Sequence, residues 1–224
     1  MEVFGPRWEG YIRRIEENWR AVVNENDTVV VAGDVSWGMS LEEAEADLRF
    51  LDSLPGRKLL GRGNHDYWWT TKAKMIRFFA EKGFTTLGIL FNNAYKIDSF
   101  IVSGTRGWYY DKKTAPEGAD FQKIVAREAG RLSLSLAEAR KLRENAEKEG
   151  ETGLTDVAFF HFPPVFGDFV CRPLVDMLKE HGIKKVYYGH IHSAAFVLPS
   201  FEFEGMEFFI TSADHLAFTP LLVR

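Results

Sequence analysis

Thr28-Val29-Val30-Val31-Ala32-Gly33-Asp34 opens as a run of β-branched residues and ends in a glycine followed by a carboxylate. A short apolar run bounded by turn residues reads as a buried strand of the kind found in parallel sheets. Thirty residues on, Lys58-Leu59-Leu60-Gly61 leads into Gly63-Asn64-His65-Asp66 in the same manner. Between them, Ser40 with Glu43 forms a capping-box pattern, with Leu41, Ala44, Leu48 and Leu51 at helical spacing behind it. Pro55-Gly56 stops that helix. Residues 28–61 therefore read as a strand–helix–strand unit of the length a right-handed parallel crossover needs.

Working outward, Trp8, Tyr11, Ile12, Ile15, Trp19, Val22 and Val23 recur at helical spacing before the first strand. Downstream, a helix is expected over Thr70–Lys82, ended by Gly83, then strands at Thr85–Leu90, Ala94–Ile97 and Phe100–Gly104. From about Ala119 to Lys148 the chain is helical in pattern, with Gly130 and the Ser133/Ser135 pair predicting a break into two helices. Val157–Phe160 reads as a strand ending at His161, Pro173–His181 as a helix stopped by Gly182, and Lys185–Tyr188 as the strand feeding Gly189-His190. The tail alternates in period two at Ala195–Leu198, Phe201–Phe203, Glu207–Ile210 and Thr219–Val223, with Glu204-Gly205 as a hairpin turn. No repeat or linker interrupts the pattern, so residues 1–224 are expected to form a single domain. Parallel units first and antiparallel strands last predict an α/β fold, two mixed β-sheets packed face to face with helices outside.

Bulk properties narrow the function. The 224 residues are 46% hydrophobic and 27% charged, ordinary for a globular domain. A net charge of −4 and a pI near 5.9 supply no basic field to draw the chain to nucleic acid or anionic lipid. The single cysteine, Cys171, excludes an internal disulfide framework and fits a reducing cytosol, so a cytoplasmic location is expected. No apolar stretch approaches the ~20 residues that span a bilayer. Aromatic residues reach 14%, with 19 Phe and 6 Trp, which predicts a thick core and a ring-lined cleft. Trp37, Trp68, Trp69, Trp108, Tyr109 and Tyr110 follow ligand-bearing loops or sit in a turn, either packing beneath them or walling the cleft for a flat leaving group.

The chemistry lies at the strand ends. Asp34, Asn64-His65-Asp66, His161 and His190-Ile191-His192 each follow an apolar run, so loops deliver carboxylate, amide and imidazole groups to one side of a sheet. These oxygen and nitrogen donors, without thiolate, suit Mn, Fe, Zn or Mg. Singly, Asp34 also reads as a helix cap, Asn64 as a turn residue, and His161 or His190 as a hydrogen-bonded core histidine. Jointly they are what a metal site needs and a core does not. Asp34 is a natural bridging carboxylate, and His190 and His192 diverge from one extended segment, each able to meet a different ion. The His65–Asp66 pair suits a general acid, the carboxylate orienting the imidazole. Arg106, in Gly104-Thr105-Arg106-Gly107, is a candidate for gripping a phosphate oxygen, while Lys112 and Lys113 read as a solvated face.

In order, Gly33-Asp34, Gly63-Asn64-His65-Asp66, His161 and Gly189-His190-Ile191-His192 resemble motifs of the calcineurin-like metallophosphoesterase superfamily, over roughly residues 28 to 195. The resemblance implies a four-layer αββα sandwich and up to two divalent metal ions. Asp34 would bridge both; Asn64, His161 and His190 would complete the second, and His192 would bind the first. His65 would protonate the leaving oxygen or stabilise the transition state, with Asp66 behind it. The implied activity is metal-dependent hydrolysis of small phosphomono- or phosphodiesters, the rival being a binding or scaffold protein that keeps the fold without catalysis. One piece departs. The superfamily begins with a strand ending in Asp-x-His, and no Asp-x-His occurs in this chain. The first strand is therefore expected to be missing, encoded upstream of Met1, leaving an unpaired sheet edge open to homo-oligomerisation.

Overall fold

The central strands bury both faces, and that fixes the layering. In a computed structural model that describes residues 5–108, 120–192 and 198–223, Leu59, Val157, Phe159 and Tyr187 share one core cluster, while their chain neighbours Leu60, Ala158, Phe160 and Tyr188 enter others. Alternate side chains thus point to opposite faces, the period of a strand covered on both sides.

Two sheets carry the fold. The smaller is all-parallel, ordered β1 (Thr28–Val31), β2 (Arg57–Leu60), β3 (Leu87–Ile89). The larger has six strands, built from β4 (Tyr95–Ile97), β5 (Phe100–Thr105), β6 (Thr155–Phe160), β9 (Lys185–Tyr188), β10 (Ser200–Phe203) and β11 (Met206–Ile210). Its order is β10-β11-β9-β6-β5-β4, parallel in the middle with an antiparallel pair at each edge. A separate short hairpin joins β7 (Val165–Phe166) to β8 (Phe169–Val170). The Leu59–Tyr187 cluster lies between the two sheets, where Phe159, Tyr187 and Phe209 stack across neighbouring strands with centroids 4.9 Å apart at each step.

Helices cover the outer faces. Helices α2 (Glu45–Asp52) and α3 (Lys72–Lys82) pack Leu48, Met75, Phe78 and Phe79 on the small sheet. Helices α4 (Phe121–Lys148) and α5 (Arg172–Glu180) pack Leu132, Leu136, Leu174 and Leu178 on the large one. Helix α1 (Tyr11–Val22) adds Trp19 beside Leu54, its indole donating to Pro55 O at 2.9 Å. Thr71 caps α3 and Gly83 ends it at φ 71°. The expected αββα sandwich is what the chain forms. At the predicted hairpin, Glu204 and Gly205 both take positive φ, as a two-residue turn of this hand requires.

Several expectations need correction. α4 is one 28-residue helix, not two. Gly130 faces open space, and Ser135 bonds across the core instead of breaking the helix: its Oγ accepts from Gly104 N at 2.9 Å and donates to Asn93 O at 2.7 Å. α2 starts at Glu45, since residues 41–44 form a turn. There Ser40 Oγ accepts from Glu43 N, and the Glu43 carboxylate reaches back to Met39 N, one residue short of a capping box. Residues 219–223 form no strand; residues 195–197 lie outside the described part. The small sheet is parallel throughout, not mixed. Among the described residues no helix is long and apolar enough to cross a membrane. Cys171 is buried at 3% exposure, and burial pushes its thiol up, so it packs as a small hydrophobe.

Candidate metal centre

Both sheets point the carboxyl ends of their parallel strands at one place, where open α/β sheets take ligands. Asp34 follows β1, Asn64 and His65 follow β2, His161 follows β6 and His190 follows β9. One ligand atom from each of Asp34, His161 and His190 lies within 4.8 Å of the other two. Asn64 joins them, its Oδ1 2.7 Å from His161 Nε2, and Asp34 Oδ2 lies 3.5 Å from the same nitrogen.

The tight turns before the ligands explain the glycines. A Cβ on Gly63 would sit 2.0 Å from Asp34 Oδ1, and one on Gly33 would sit 2.4 Å from Gly63 N. The two loops touch backbone to backbone, so neither position admits a side chain. Asp34 and His190 themselves hold left-handed backbone, at φ 57° and 66°. Non-glycine residues adopt that conformation at a cost of about 1 kcal/mol or more, accepted where geometry must be fixed.

His161 reveals what the site wants. Its Nδ1 lies 2.9 Å from Ala32 O, an acceptor only, so Nδ1 carries the proton and Nε2 the lone pair. That lone pair faces Asn64 Oδ1 and Asp34 Oδ2, two further acceptors. An imidazolium would satisfy them, but burial, chiefly, holds His161 down at about 3. His190 is pulled to about 4 by burial and then by the neighbouring His161. Both rings are therefore neutral near pH 7, and converging lone pairs with no proton between them fit a divalent cation. Phe162 walls the site, its ring centroid 4.4 Å from that of His190.

Asp66 is not where the sequence put it. Its carboxylate, 1% exposed, accepts from Gly63 N, Asp34 N, Val35 N, Ser36 N and the Trp68 indole at 2.7–3.3 Å. Burial pushes this carboxyl up, and the backbone donors hold it back. It ties the Asp34 loop to the Asn64 loop and makes no hydrogen bond to the His65 ring. His65 is instead stacked on Trp37, centroids 4.8 Å apart, with Nδ1 3.1 Å from Tyr67 Oη. The imidazole with a carboxylate behind it is His192, whose Nδ1 lies 2.8 Å from Asp214 Oδ1. His192 stands outside the tight cluster, with its side chain 37% exposed.

The remaining candidates divide. Trp68 and Trp69 are core, at 2% and 8% exposure, whereas Trp37 at 48% forms an open aromatic surface over His65. Arg106 lies over Trp108 and Phe162 and pairs with Glu128 of α4, Nη2 to Oε1 3.6 Å. Arg131 binds the same buried carboxylate, and half-buried Arg62 feels its charge. Sequence reasoning overlooked Arg62, whose signal was its place between Gly61 and Gly63. Tyr109, Tyr110, Lys112 and Lys113 lie outside the described residues.

Oxygen and imidazole donors aimed at one point from two facing sheets mark a metal-binding protein of the layered α/β class. The chain belongs to the calcineurin-like phosphoesterases, whose family profile matches residues 7–194. That family performs metal-dependent hydrolysis of phosphoesters. TT1561 of Thermus thermophilus, known from a crystal structure, aligns at a TM-score of 0.50 and 11% identity, over 91% of this chain and 84% of its own. A second solved structure aligns at 0.51 and 12%, over 91% and 85%. These likenesses show the fold. No curated protein matches the chain.

Proposed function

We propose that this chain hydrolyses small phosphomono- or phosphodiesters at a dinuclear centre with Asp34 as the shared ligand. The observation that carries the reading is the convergence of the Asp34, Asn64 and His161 lone pairs beside neutral His190. In it, Asn64, His161 and His190 complete one site, and His192 serves the other. Held by those residues, Mn, Fe, Zn or Mg would supply an activated nucleophile and positive charge for the phosphoryl oxygens. His65 N–H donates to Asp34 Oδ1 at 2.8 Å, which fixes the carboxylate and aims Oδ2 at His161. The His65 ring, held by Trp37 and Tyr67, presents its remaining nitrogen to the departing oxygen. Arg106 supplies positive charge behind Phe162. The net charge of −4 favours a small ester over nucleic acid.

Metal analysis of the purified protein, run beside hydrolysis of aryl mono- and diesters with added Mn, tests this. Metal-dependent turnover is expected; undiminished activity after complete chelation would overturn it, and stoichiometric metal without turnover would favour a binding protein. His65→Ala should keep its metal and lose about 100-fold or more in turnover. Loss of metal would instead make His65 a ligand.

A further inference from the structure

Outside the tight cluster, one buried carboxylate aims at a candidate ligand. Asp214 has its side chain fully shielded, at 0% exposure, and its Oδ1 lies 2.8 Å from His192 Nδ1. The other oxygen lies 3.6 Å from Arg7 Nη1. A carboxylate so deeply buried needs such partners. Trp8, 5% exposed, covers the pair, its ring centroid 5.5 Å from His192 and 5.2 Å from Phe218.

The segment bearing Asp214 is itself held in shape. His215 N and Leu216 N donate to Ser212 O, and Phe218 N donates to Ala213 O at 2.7 Å. Ala217 and Phe218 both take positive φ, at 49° and 63°, a conformation that persists only where the surroundings impose it. The surroundings are α1: Asn18 Nδ2 donates to Ala217 O at 3.1 Å, and the Arg14 guanidinium lies 4.3 Å over the Phe218 ring.

We propose that Asp214 is the positioning residue for His192: by accepting the Nδ1 proton it keeps Nε2 unprotonated and holds the ring in one orientation at the edge of the donor cluster. A carboxylate behind a ligating imidazole fixes its tautomer and raises its basicity. Only Ile191 separates His192 from His190, a member of the donor cluster, so its backbone lies beside the proposed metal centre. The assignment rests on the reading of His192 as a ligand under the proposed function.

Nitrogen-15 NMR of histidine-labelled, metal-free full-length protein tests it without any substitution. His192 should be the Nδ1–H tautomer; an Nε2–H tautomer overturns the proposal. Mn2+ titration of Asp214→Asn, its fold checked by the amide spectrum, should show one class of site weakened about 10- to 100-fold. The other class should be unchanged, and the His192 signals should move toward mixed tautomers. An unmoved tautomer and unmoved affinity in Asp214→Asn, while His192→Ala weakens Mn2+ binding, would sink Asp214 and spare the ligand reading. Mn2+ binding unaffected by His192→Ala would sink the ligand reading and the proposal with it.

Discussion

His161, inside the donor cluster, and His192, outside it, are held by opposite means. His161 is 3% exposed, and its ring is fixed by a backbone carbonyl of the facing sheet, Ala32 O. His192 has its side chain 37% exposed and is fixed by a side chain from a loop, which in turn depends on α1. The His161 half assembles as a by-product of packing two sheets. The His192 half exists only while the segment around residues 212–218 stays docked. The two proposed metal positions should therefore differ in affinity and in tolerance to damage. The site with Asp34, Asn64, His161 and His190 should fill first; the other, with Asp34 and His192, should bind weakly.

The most severe perturbation is at Asp66. Asp66→Ala leaves several buried donors without an acceptor and should cost about 4 kcal/mol of stability, read by chemical denaturation. Both halves should then fail together, because the Asp34 loop belongs to both. Next, His161→Ala removes a proposed ligand and should weaken the tighter metal by at least about 100-fold in calorimetry, no less than the loss of an outer partner. His192→Ala should leave that tighter site within a few-fold of its starting affinity, which sharpens the contrast.

Acid should act through His161 and His190. His161 and His190 have folded values of about 3 and about 4, below the ordinary 6.5, so the unfolded chain takes up protons first. Their neutral forms leave metal-free stability undiminished above about pH 6.5, and it falls as pH drops toward 4 and 3. The slope should be about 1.4 kcal/mol per pH unit for each histidine. Denaturation of metal-free protein across that range checks this, and His190→Asn should flatten the curve. The smallest effect should come from Tyr67→Phe, which removes one partly exposed hydrogen bond to His65 and should lower turnover by less than about tenfold.

Much of this was legible in order along the chain. Strand-ending runs announced Asp34, Asn64, His161 and His190, because buried parallel strands have a strong local signature and their C-terminal loops inherit a common direction. The Glu204-Gly205 turn was legible for the same reason, being set by two residues. What failed was non-local. Ser135 looked like a helix breaker because its partners, Gly104 and Asn93, are far off in sequence. Asp66 looked like the partner of its neighbour His65, yet its acceptor capacity is spent on donors up to 32 residues away. Nothing beside Asp214 in the sequence points to His192, because the imidazole it contacts lies 22 positions earlier. Adjacency in sequence is a poor guide to which carboxylate orients which imidazole.

The Asp66 carboxylate also governs amide exchange in the loops it ties together. Loops at strand ends normally trade their amide hydrogens with water quickly, since few of those groups are paired. Here the amides of Asp34, Val35, Ser36 and Gly63 all end on one buried acceptor. They can open only if that carboxylate is exposed, an event close in cost to unfolding the domain. The segment presenting the proposed metal ligands should therefore exchange as slowly as the central strands, irregular in shape but with the persistence of sheet.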